Sequence, residues 1–291
     1  KNDHCIKNGS IEENGCGKFS DFTDKALSEI KKLGITHIWY TGIIEHATKT
    51  DYSKFNIHPD HPAVVKGKAG SPYAIKDYYD VDPDLADDVP NRMKEFEALV
   101  KRTHQANLKF IIDFVPNHVA RQYHSDAKPK HVQDLGEKDN TENAFSPYNN
   151  FYYIPKTVFS GQFDLKDGAS KAYYEFPAKA TGNDKFDAYP GINDWYETVK
   201  LNYGIDYANG GTKHFYPVPD TWIKMLDILL FWASKGIDGF RCDMAEMVPV
   251  EFWKWAIAQV RYKYPSIIFI AEVYNPWEYH NYLFNGGFNY L

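Results

Sequence analysis

The stretch Phe110-Ile-Ile-Asp-Phe-Val-Pro-Asn-His118 places polar residues directly after a run of apolar ones. The same arrangement recurs in Gly239-Phe-Arg-Cys-Asp243 and in Ile267-Ile-Phe-Ile-Ala-Glu272. Apolar runs of this length predict buried strands. Because charged groups at the ends of buried strands are costly to desolvate, their recurrence indicates a functional site.

Outside these stretches, strand and helix patterns alternate. Strand patterns cover residues 35–40, 76–81, 108–115, 237–243 and 267–272, and amphipathic helix patterns cover residues 22–33, 93–100, 222–233 and 252–260. This order predicts an α/β fold with a parallel sheet and helices outside it. A (β/α)8 TIM barrel needs eight strands, so the sheet is either open or an incomplete barrel of about five strand–helix units. The lack of a helix pattern after the last strand favours the incomplete barrel.

Residues 119–219 interrupt the alternation with a stretch rich in Asn, Asp, Gly, Lys and Tyr. This stretch is too long for a plain loop and predicts an inserted subdomain. We therefore expect residues 1–118 to form the first part of a catalytic barrel, residues 119–219 the insert, and residues 220–291 the continuation of the barrel.

Composition narrows the class of protein. The net charge of −6 argues against binding to nucleic acid, and no apolar run is long enough to span a membrane. The chain starts at Lys1 rather than Met, which indicates a processed or trimmed product. Cys5 and Cys16 either form one bridge or remain free thiols. These features favour an exported protein and leave a cytoplasmic one open.

Two acidic residues at strand ends can carry chemistry. Arg241 and Asp243 are two apart on a strand, so both point to one side, and the guanidinium would keep the Asp243 pKa low. An apolar setting would instead raise the Glu272 pKa and keep that group protonated. Alone, each also fits a structural role, an ion pair for Asp243 and the start of a solvated loop for Glu272. Together they form the pattern of a retaining glycosidase, with carboxyl groups about 5–5.5 Å apart.

The first stretch supplies three further polar residues. His118 either donates to a sugar hydroxyl or is a structural histidine. Asn117 either ligates a hard cation through its carbonyl oxygen or caps the loop. Asp113 is expected to fix the loop by hydrogen bonds. Aromatic residues in the insert either stack on sugar rings or fill a small core, and they are Tyr152, Tyr153, Trp195, Tyr196 and Tyr203.

The motifs Asp-Phe-Val-Pro-Asn-His, Gly-Phe-Arg-Cys-Asp and Ala-Glu resemble, in order and spacing, the first three conserved regions of the α-amylase family, glycoside hydrolase family 13. The segment Tyr73-Ala-Ile-Lys-Asp77-Tyr-Tyr-Asp-Val-Asp-Pro83 resembles that family's segment around the second strand, and the insert resembles its domain B. The resemblance covers about residues 35–272. It implies a (β/α)8 barrel that hydrolyses α-glucans or α-glucosides such as starch and malto-oligosaccharides, or transfers their glycosyl groups, through a covalent glycosyl-enzyme.

The resemblance also implies roles for single residues. Asp243 would be the nucleophile and Glu272 the general acid/base. Arg241 would orient Asp243 and keep it ionised. In the substrate-binding set, His118 would bind the sugar at the cleavage subsite and Tyr73 would stack on its face. The same set includes Asp77, which would support the Tyr73 loop.

The sequence departs from the family pattern in three ways. The family's third catalytic carboxylate would lie beyond Leu291, so a chain that ended there would be inactive. Many family members carry Lys-His where this chain has Glu246-Met247, which argues against specificity for long starch chains. Lys200 stands where the family often has a calcium-binding Asp. Its ammonium could replace the cation, so no cofactor is expected to be required and calcium at Asn117 is in doubt.

Three alternatives stay open at this point. The protein could be a family member that acts on sucrose, trehalose or maltose. It could be a non-catalytic, amylase-like binding protein, although Asp243, Glu272, Arg241 and His118 are all retained. It could also be an unrelated barrel enzyme that binds a metal through Asp and Glu, but the strands carry no tight His/Asp/Glu cluster.

Overall fold

The computed structural model describes residues 15–291, which fold around a parallel sheet. Its strands are β1 (His37–Tyr40), β2 (Ile44–His46), β3 (Ile75–Val81), β4 (Lys109–Phe114), β5 (His118–Ala120), β6 (Tyr153–Ile154), β7 (Ala178–Lys179), β8 (Thr198–Lys200), β9 (Ile205–Asp206), β10 (Thr212–Lys213), β11 (Gly239–Cys242) and β12 (Ile268–Ala271). Its α-helices are α1 (Asp24–Lys32), α2 (Arg92–Gln105), α3 (Asp220–Ser234) and α4 (Val250–Lys263). The parallel sheet has the strand order β1–β4–β11–β12.

The sheet has an outer face packed against helices and an inner face that carries polar groups near the carboxyl ends of its strands, because residues alternate between faces along a strand. One register row of the outer face is fully buried and consists of Tyr40, Ile112, Phe240 and Phe269. Residues of α2, α3 and α4 share a core with this row. Asp113 and Arg241 are paired in register on the inner face. Packing on the outer face therefore fixes where along the strands the inner polar groups lie and to which side they point.

Local sequence explains how the helices start and end. Thr23 precedes α1, and its hydroxyl oxygen accepts a hydrogen bond from the Ala26 amide at 3.2 Å. The last turn of this helix carries Lys31 and Lys32, whose charge favours the carboxyl end of the helix dipole. Helix α4 follows Pro249, which suits the first turn of a helix because it needs no amide donor there.

The pairing of strand β3 differs from the predicted sheet. The pattern at residues 76–81 does form a strand, Ile75–Val81. It pairs antiparallel with β2, however, and lies outside the parallel sheet. The expectation of about five parallel strand units is therefore wrong for the described residues, in which the parallel sheet has four strands.

The stretch between β5 and α3 has short antiparallel strand pairs in place of α-helices. Strand β5 pairs with β8, β6 with β7, and β9 with β10. Val119, Phe151 and Val199 belong to the same core as the parallel sheet, while Phe159 and Tyr173 form a satellite core with Ala63 and Val64 from the β2–β3 loop. The predicted boundary at residues 118 and 119 falls inside β5.

The end of the described chain also differs from expectation. After β12 come a 3-10 turn at Pro276–Glu278 and a π-helical turn at Asn281–Asn285, so short helical segments do follow the last strand.

The Cys16 thiol is free and donates to the Asp84 carbonyl at 2.8 Å. Cys5 lies outside the described residues. Within residues 15–291, no helix has the length and apolar character needed to cross a membrane.

Candidate active site

A cleft of about 340 Å³ opens where β11 and β12 end. Its walls include five of the residues predicted from sequence, namely Tyr73, His118, Arg241, Asp243 and Glu272. Parallel strands end at one edge of a sheet, which is why motifs far apart in sequence converge there. The structure thus gathers the predicted acidic pair and its arginine in one cavity.

Arg241 links three carboxyl groups. Its Nη1 atom is 2.8 Å from Asp243 Oδ1 and 3.1 Å from Asp113 Oδ1, and its Nη2 atom is 2.7 Å from Glu272 Oε1. The other oxygen of Asp113 accepts a hydrogen bond from Trp39 Nε1 at 2.9 Å. One guanidinium therefore faces three acids, and this local excess of negative charge favours retention of a proton.

The backbone after Asp243 orients Glu272. Met244 adopts a left-handed conformation with φ of 46°, which is unfavourable for a residue with a side chain. This turn points the Met244 amide at Glu272 Oε2, to which it donates at 2.8 Å. The Tyr274 hydroxyl donates to Glu272 Oε1 at 2.6 Å. Local strain at the end of β11 is thus coupled to the position of the second acid.

The pKa values of the acidic pair run against the prediction from sequence. The pKa of Asp243 is raised to about 7, chiefly by burial, with Arg241 opposing the shift and the nearby Glu272 adding to it. Partial burial also acts to raise the Glu272 pKa, but hydrogen bonds from Tyr274 and Met244 and the charge of Arg241 bring it below its usual value. The predicted pattern of an ionised Asp243 and a protonated Glu272 is therefore reversed in this structure. The sequence did not show that Glu272 would contact the Arg241 guanidinium together with Asp243.

His118 is buried beside the cleft as a neutral ring. Burial lowers its pKa to about 3, and the charges of Lys200 and Lys66 act in the same direction. The Asn117 amide lies 3.1 Å from Nδ1, and its orientation is fixed because the same Nδ2 donates to the Gly182 carbonyl at 2.8 Å. Nδ1 therefore accepts a hydrogen bond, which leaves the proton on Nε2.

Gly182 permits this arrangement by lacking a side chain. A Cβ atom at this position would lie 2.8 Å from both Cβ and Cγ of His118 and 2.6 Å from Thr198 Oγ1. The ring of His118 also packs against Trp195 at a centroid distance of 5.2 Å. Close packing on two sides holds the imidazole in place.

Lys200 lies beside Asn117, the residue named from the sequence as a candidate calcium ligand. Its buried ammonium donates to Asn117 Oδ1 at 2.7 Å and pairs with Asp184 Oδ1 at 2.5 Å. A divalent cation bound to that Asn117 oxygen would lie next to a positive charge, and the two would repel. The residues present therefore do not fit a calcium ion at Asn117.

Asp77 lies away from the cleft wall. Its carboxylate accepts hydrogen bonds from the amides of Tyr79 and Ala127 at 2.8 and 2.9 Å and from the Ser125 hydroxyl at 2.5 Å. Burial raises its pKa to about 6. Asp77 thus joins β3, which follows Tyr73, to the segment after β5. Its position suits support of the Tyr73 loop.

Several cleft residues were not assigned to the site from sequence. They are Lys66, Ser71, Glu197, Thr198, Met244 and Tyr274. Among the insert aromatics considered as sugar platforms, Trp195 lines the cleft. The other four are buried in packing contacts, and they are Tyr152, Tyr153, Tyr196 and Tyr203. A signal for Tyr274 existed, since it follows Glu272 by two residues, whereas Lys66 and Glu197 carry no motif.

The sequence of this chain is similar to those of known proteins. Residues 8–266 match the family model for the alpha-amylase catalytic domain. Over 265 residues the chain is 24% identical to alpha-amylase 3 of Dictyoglomus thermophilum, which covers 89% of this chain and 40% of that protein. Over 90 residues it is 40% identical to an alpha-1,4-glucan:maltose-1-phosphate maltosyltransferase of Cereibacter sphaeroides, with 28% of this chain and 15% of that protein covered.

A solved structure is also similar to this chain. The crystal structure of an alpha-amylase from Lactobacillus plantarum superposes with a TM-score of 0.53 at 25% identity, over 88% of this chain and 41% of that one. The chain therefore spans less than half the length of each of these relatives. Because the family model matches most of the chain, the chain belongs to the alpha-amylase family, glycoside hydrolase family 13.

Proposed function

We propose that this protein is a retaining α-glycoside hydrolase or transglycosylase that acts on α-glucans or α-glucosides. The observation that carries the proposal is the shared contact of Asp243 and Glu272 with Arg241 in one cleft. A four-stranded parallel sheet with helices on its outer face is consistent with part of a (β/α)8 barrel. We assign residues 119–219 to the inserted domain B of that fold.

In the proposed reaction, Asp243 attacks the anomeric carbon and Glu272 gives a proton to the leaving oxygen. A bond forms between Asp243 and the sugar while the glycosidic bond breaks. Glu272, now ionised, removes a proton from water or from an acceptor hydroxyl, whose oxygen then displaces Asp243. His118 donates from Nε2 to a sugar hydroxyl, and Tyr73 stacks on the ring.

The closeness of the two acids favours retention of configuration. Asp243 Oδ1 and Glu272 Oε1 lie 2.8 and 2.7 Å from the two terminal nitrogens of the same guanidinium. Inverting enzymes keep their carboxyl groups about 6.5–9.5 Å apart to admit a water molecule, whereas retaining enzymes hold them closer. The two acids also influence each other's pKa, and the proton must move from Asp243 to Glu272 before reaction.

Glu246 supports a preference for short substrates. In place of the Lys-His of many family members, Glu246 points at the backbone after Glu272 and accepts hydrogen bonds from the Tyr274 and Asn275 amides, both at 2.9 Å. It therefore stiffens this loop and offers no cation to a long glucan. A sucrose-, trehalose- or maltose-acting enzyme is the second candidate, for the same reason.

A substrate screen of the whole protein tests the proposal. Starch, maltose, sucrose, trehalose and isomaltose are supplied separately, and the anomeric configuration of the first product is followed by NMR. We expect turnover of at least one substrate with the α configuration retained, and higher kcat/KM for short substrates than for starch. Turnover with inversion would contradict the proposed retaining mechanism. No turnover on any α-glucoside would contradict the proposed function and favour an amylase-like binding protein.

Tyr274→Phe is expected to move the alkaline limb of the pH–rate profile to higher pH. The Tyr274 hydroxyl stabilises the carboxylate of Glu272, so its removal raises the Glu272 pKa. A general acid works while protonated, and a higher pKa keeps it protonated at higher pH. The measurement is kcat/KM against pH. Tyr279→Phe, at an exposed tyrosine nearby, is the control and should leave the profile unchanged.

A further inference from the structure

Two histidines and an aspartate meet outside the cleft, where the loop between β2 and β3 touches the segment after β5. One ligand atom from each of His58, His124 and Asp126 lies within 4.8 Å of the others. Asp126 Oδ1 is 3.2 Å from His124 Nε2 and 3.8 Å from His58 Nδ1. Ligands about 2.0–2.1 Å from a tetrahedral zinc ion lie about 3.4 Å from one another, so the observed spacing needs only small side-chain shifts to enclose the ion.

Hydrogen bonds hold these residues against each other. The His58 amide donates to Asp126 Oδ2 at 2.8 Å, which leaves Oδ1 turned towards the two rings. The His124 amide donates to the Lys76 carbonyl at 3.1 Å, and the Lys76 ammonium donates to the His58 carbonyl. Because Lys76 is buried, both histidines are anchored to a fixed point of β3. The ligand set is thus largely preorganised, which reduces the entropy lost on binding.

A second carboxylate, that of Asp134, lies beside the other ring nitrogen of His124. Asp134 Oδ2 lies 3.6 Å from the Nδ1 atom of His124, which is the nitrogen not directed at Asp126. The same oxygen accepts a hydrogen bond from the Ser125 amide at 3.0 Å, so its position is set by the backbone. A carboxylate beside the outer nitrogen orients a metal-bound histidine and raises its basicity.

The donor atoms indicate which metal would bind. Two imidazole nitrogens and one carboxylate oxygen suit zinc and its neighbours, whereas calcium prefers a shell of oxygens. The His58 side chain is 70% exposed, so water can reach the open side of the cluster and supply a fourth ligand.

We propose that His58, His124 and Asp126 form a zinc-binding site that ties the β2–β3 loop to the segment after β5. Asp77 holds the same segment through Ser125 and Ala127, and Tyr73 lies just ahead of β3. The ion would therefore stabilise the part of the fold that carries Tyr73. The site takes no part in the proposed glycosidase chemistry and does not depend on it.

Calorimetric titration of the metal-stripped protein with Zn²⁺ tests the site. We expect one ion per chain with a micromolar Kd, and a rise in Tm of about 5 °C when free Zn²⁺ is about 100-fold above Kd. Ca²⁺ at the same concentration should produce no comparable rise. His58→Ala and His124→Ala should each weaken Zn²⁺ binding by more than about 100-fold. Circular dichroism confirms that each variant is folded.

The matched control is His104→Ala. His104 Nε2 pairs with Asp238 Oδ2 at 2.7 Å as a single histidine–carboxylate pair, so its loss should leave Zn²⁺ affinity unchanged. Absence of a saturable Zn²⁺ site, or equal affinity in wild type and both cluster variants, would overturn the proposal. Should His58→Ala fail to fold, His58→Gln removes the imidazole with less change in bulk, and the same loss of affinity is required of it.

Discussion

Asp243→Asn is expected to lower kcat on an α-glucoside by about 10⁴-fold or more. The amide keeps the shape of the carboxyl group and can still accept a hydrogen bond from Arg241, but it cannot form the glycosyl ester. Substrate affinity should change far less, because sugar recognition rests on other side chains of the cleft. The measurement is kcat and KM on the best substrate from the screen, with the whole protein.

Stability measurements separate this loss from unfolding. A group whose folded pKa is raised contributes stability below its unfolded pKa, near 3.8 for Asp243, and loses it as pH rises through the folded value of about 7. An asparagine at this position does not titrate. Above pH 7 the variant should therefore be at least as stable as wild type.

Asp238→Asn is the matched control for activity. Asp238 lies just before β11, at the opposite end from Asp243, and pairs with Lys109 and His104 at 2.9 and 2.7 Å. Its replacement should affect stability without a large change in kcat. Near-wild-type turnover by Asp243→Asn would remove Asp243 as the nucleophile, whereas a loss shared equally by both variants would indicate a general structural defect.

A covalent label gives independent evidence. A fluorinated glucosyl fluoride that reacts quickly but is released slowly should leave a sugar on the nucleophile. Peptide mass spectrometry should then find the sugar on the peptide that contains Asp243. A label on Glu272 would exchange the two proposed roles, as the reversed pKa values of the free cleft would allow.

The sequence predicted which groups meet but not how they share protons. Apolar runs that end in Asp243 and Glu272 identified the correct strand ends, because buried parallel strands have a strong local signal. The pKa order depends on a contact between Glu272 and Arg241 and on the turn at Met244, neither of which is encoded by a local pattern. Desolvation by the final packing outweighed the single ion pair that was visible in the sequence.

The partner of β3 was also beyond sequence reasoning. Alternation and β propensity indicated a strand at residues 76–81, but they do not specify whether its neighbour runs parallel or antiparallel. The histidine cluster shows the same limit. Strands β3, β4 and β5 and helix α2 lie between His58 and His124 in the chain, and only folding brings the two histidines together. Long-range pairings of this kind follow from topology rather than from local composition.

Lys200→Met is expected to destabilise the fold by about 2–4 kcal/mol and to lower Tm by about 5 °C. The buried ammonium of Lys200 holds Asn117 Oδ1 at 2.7 Å and pairs with Asp184. Methionine fills similar space but leaves the buried amide oxygen without a donor. Since Asn117 also orients His118, substrate binding should weaken along with stability. Thermal unfolding and KM measure the two effects.

The control for this change is Lys185→Met, which breaks a partly exposed pair with Asp194 in the same insert and should alter Tm little. Addition of Ca²⁺ to the metal-stripped wild type should leave its Tm unchanged, because the Lys200 ammonium already occupies the position beside Asn117 that a calcium ion would take. Lys200→Asp provides the sharpest contrast, since it replaces the ammonium with oxygen ligands beside Asn117 and Asp184, and its Tm should rise on addition of Ca²⁺. A clear rise in the Tm of metal-stripped wild type on addition of Ca²⁺, together with a Lys200→Asp variant whose Tm does not respond to Ca²⁺, would show that Lys200 does not stand in for the ion.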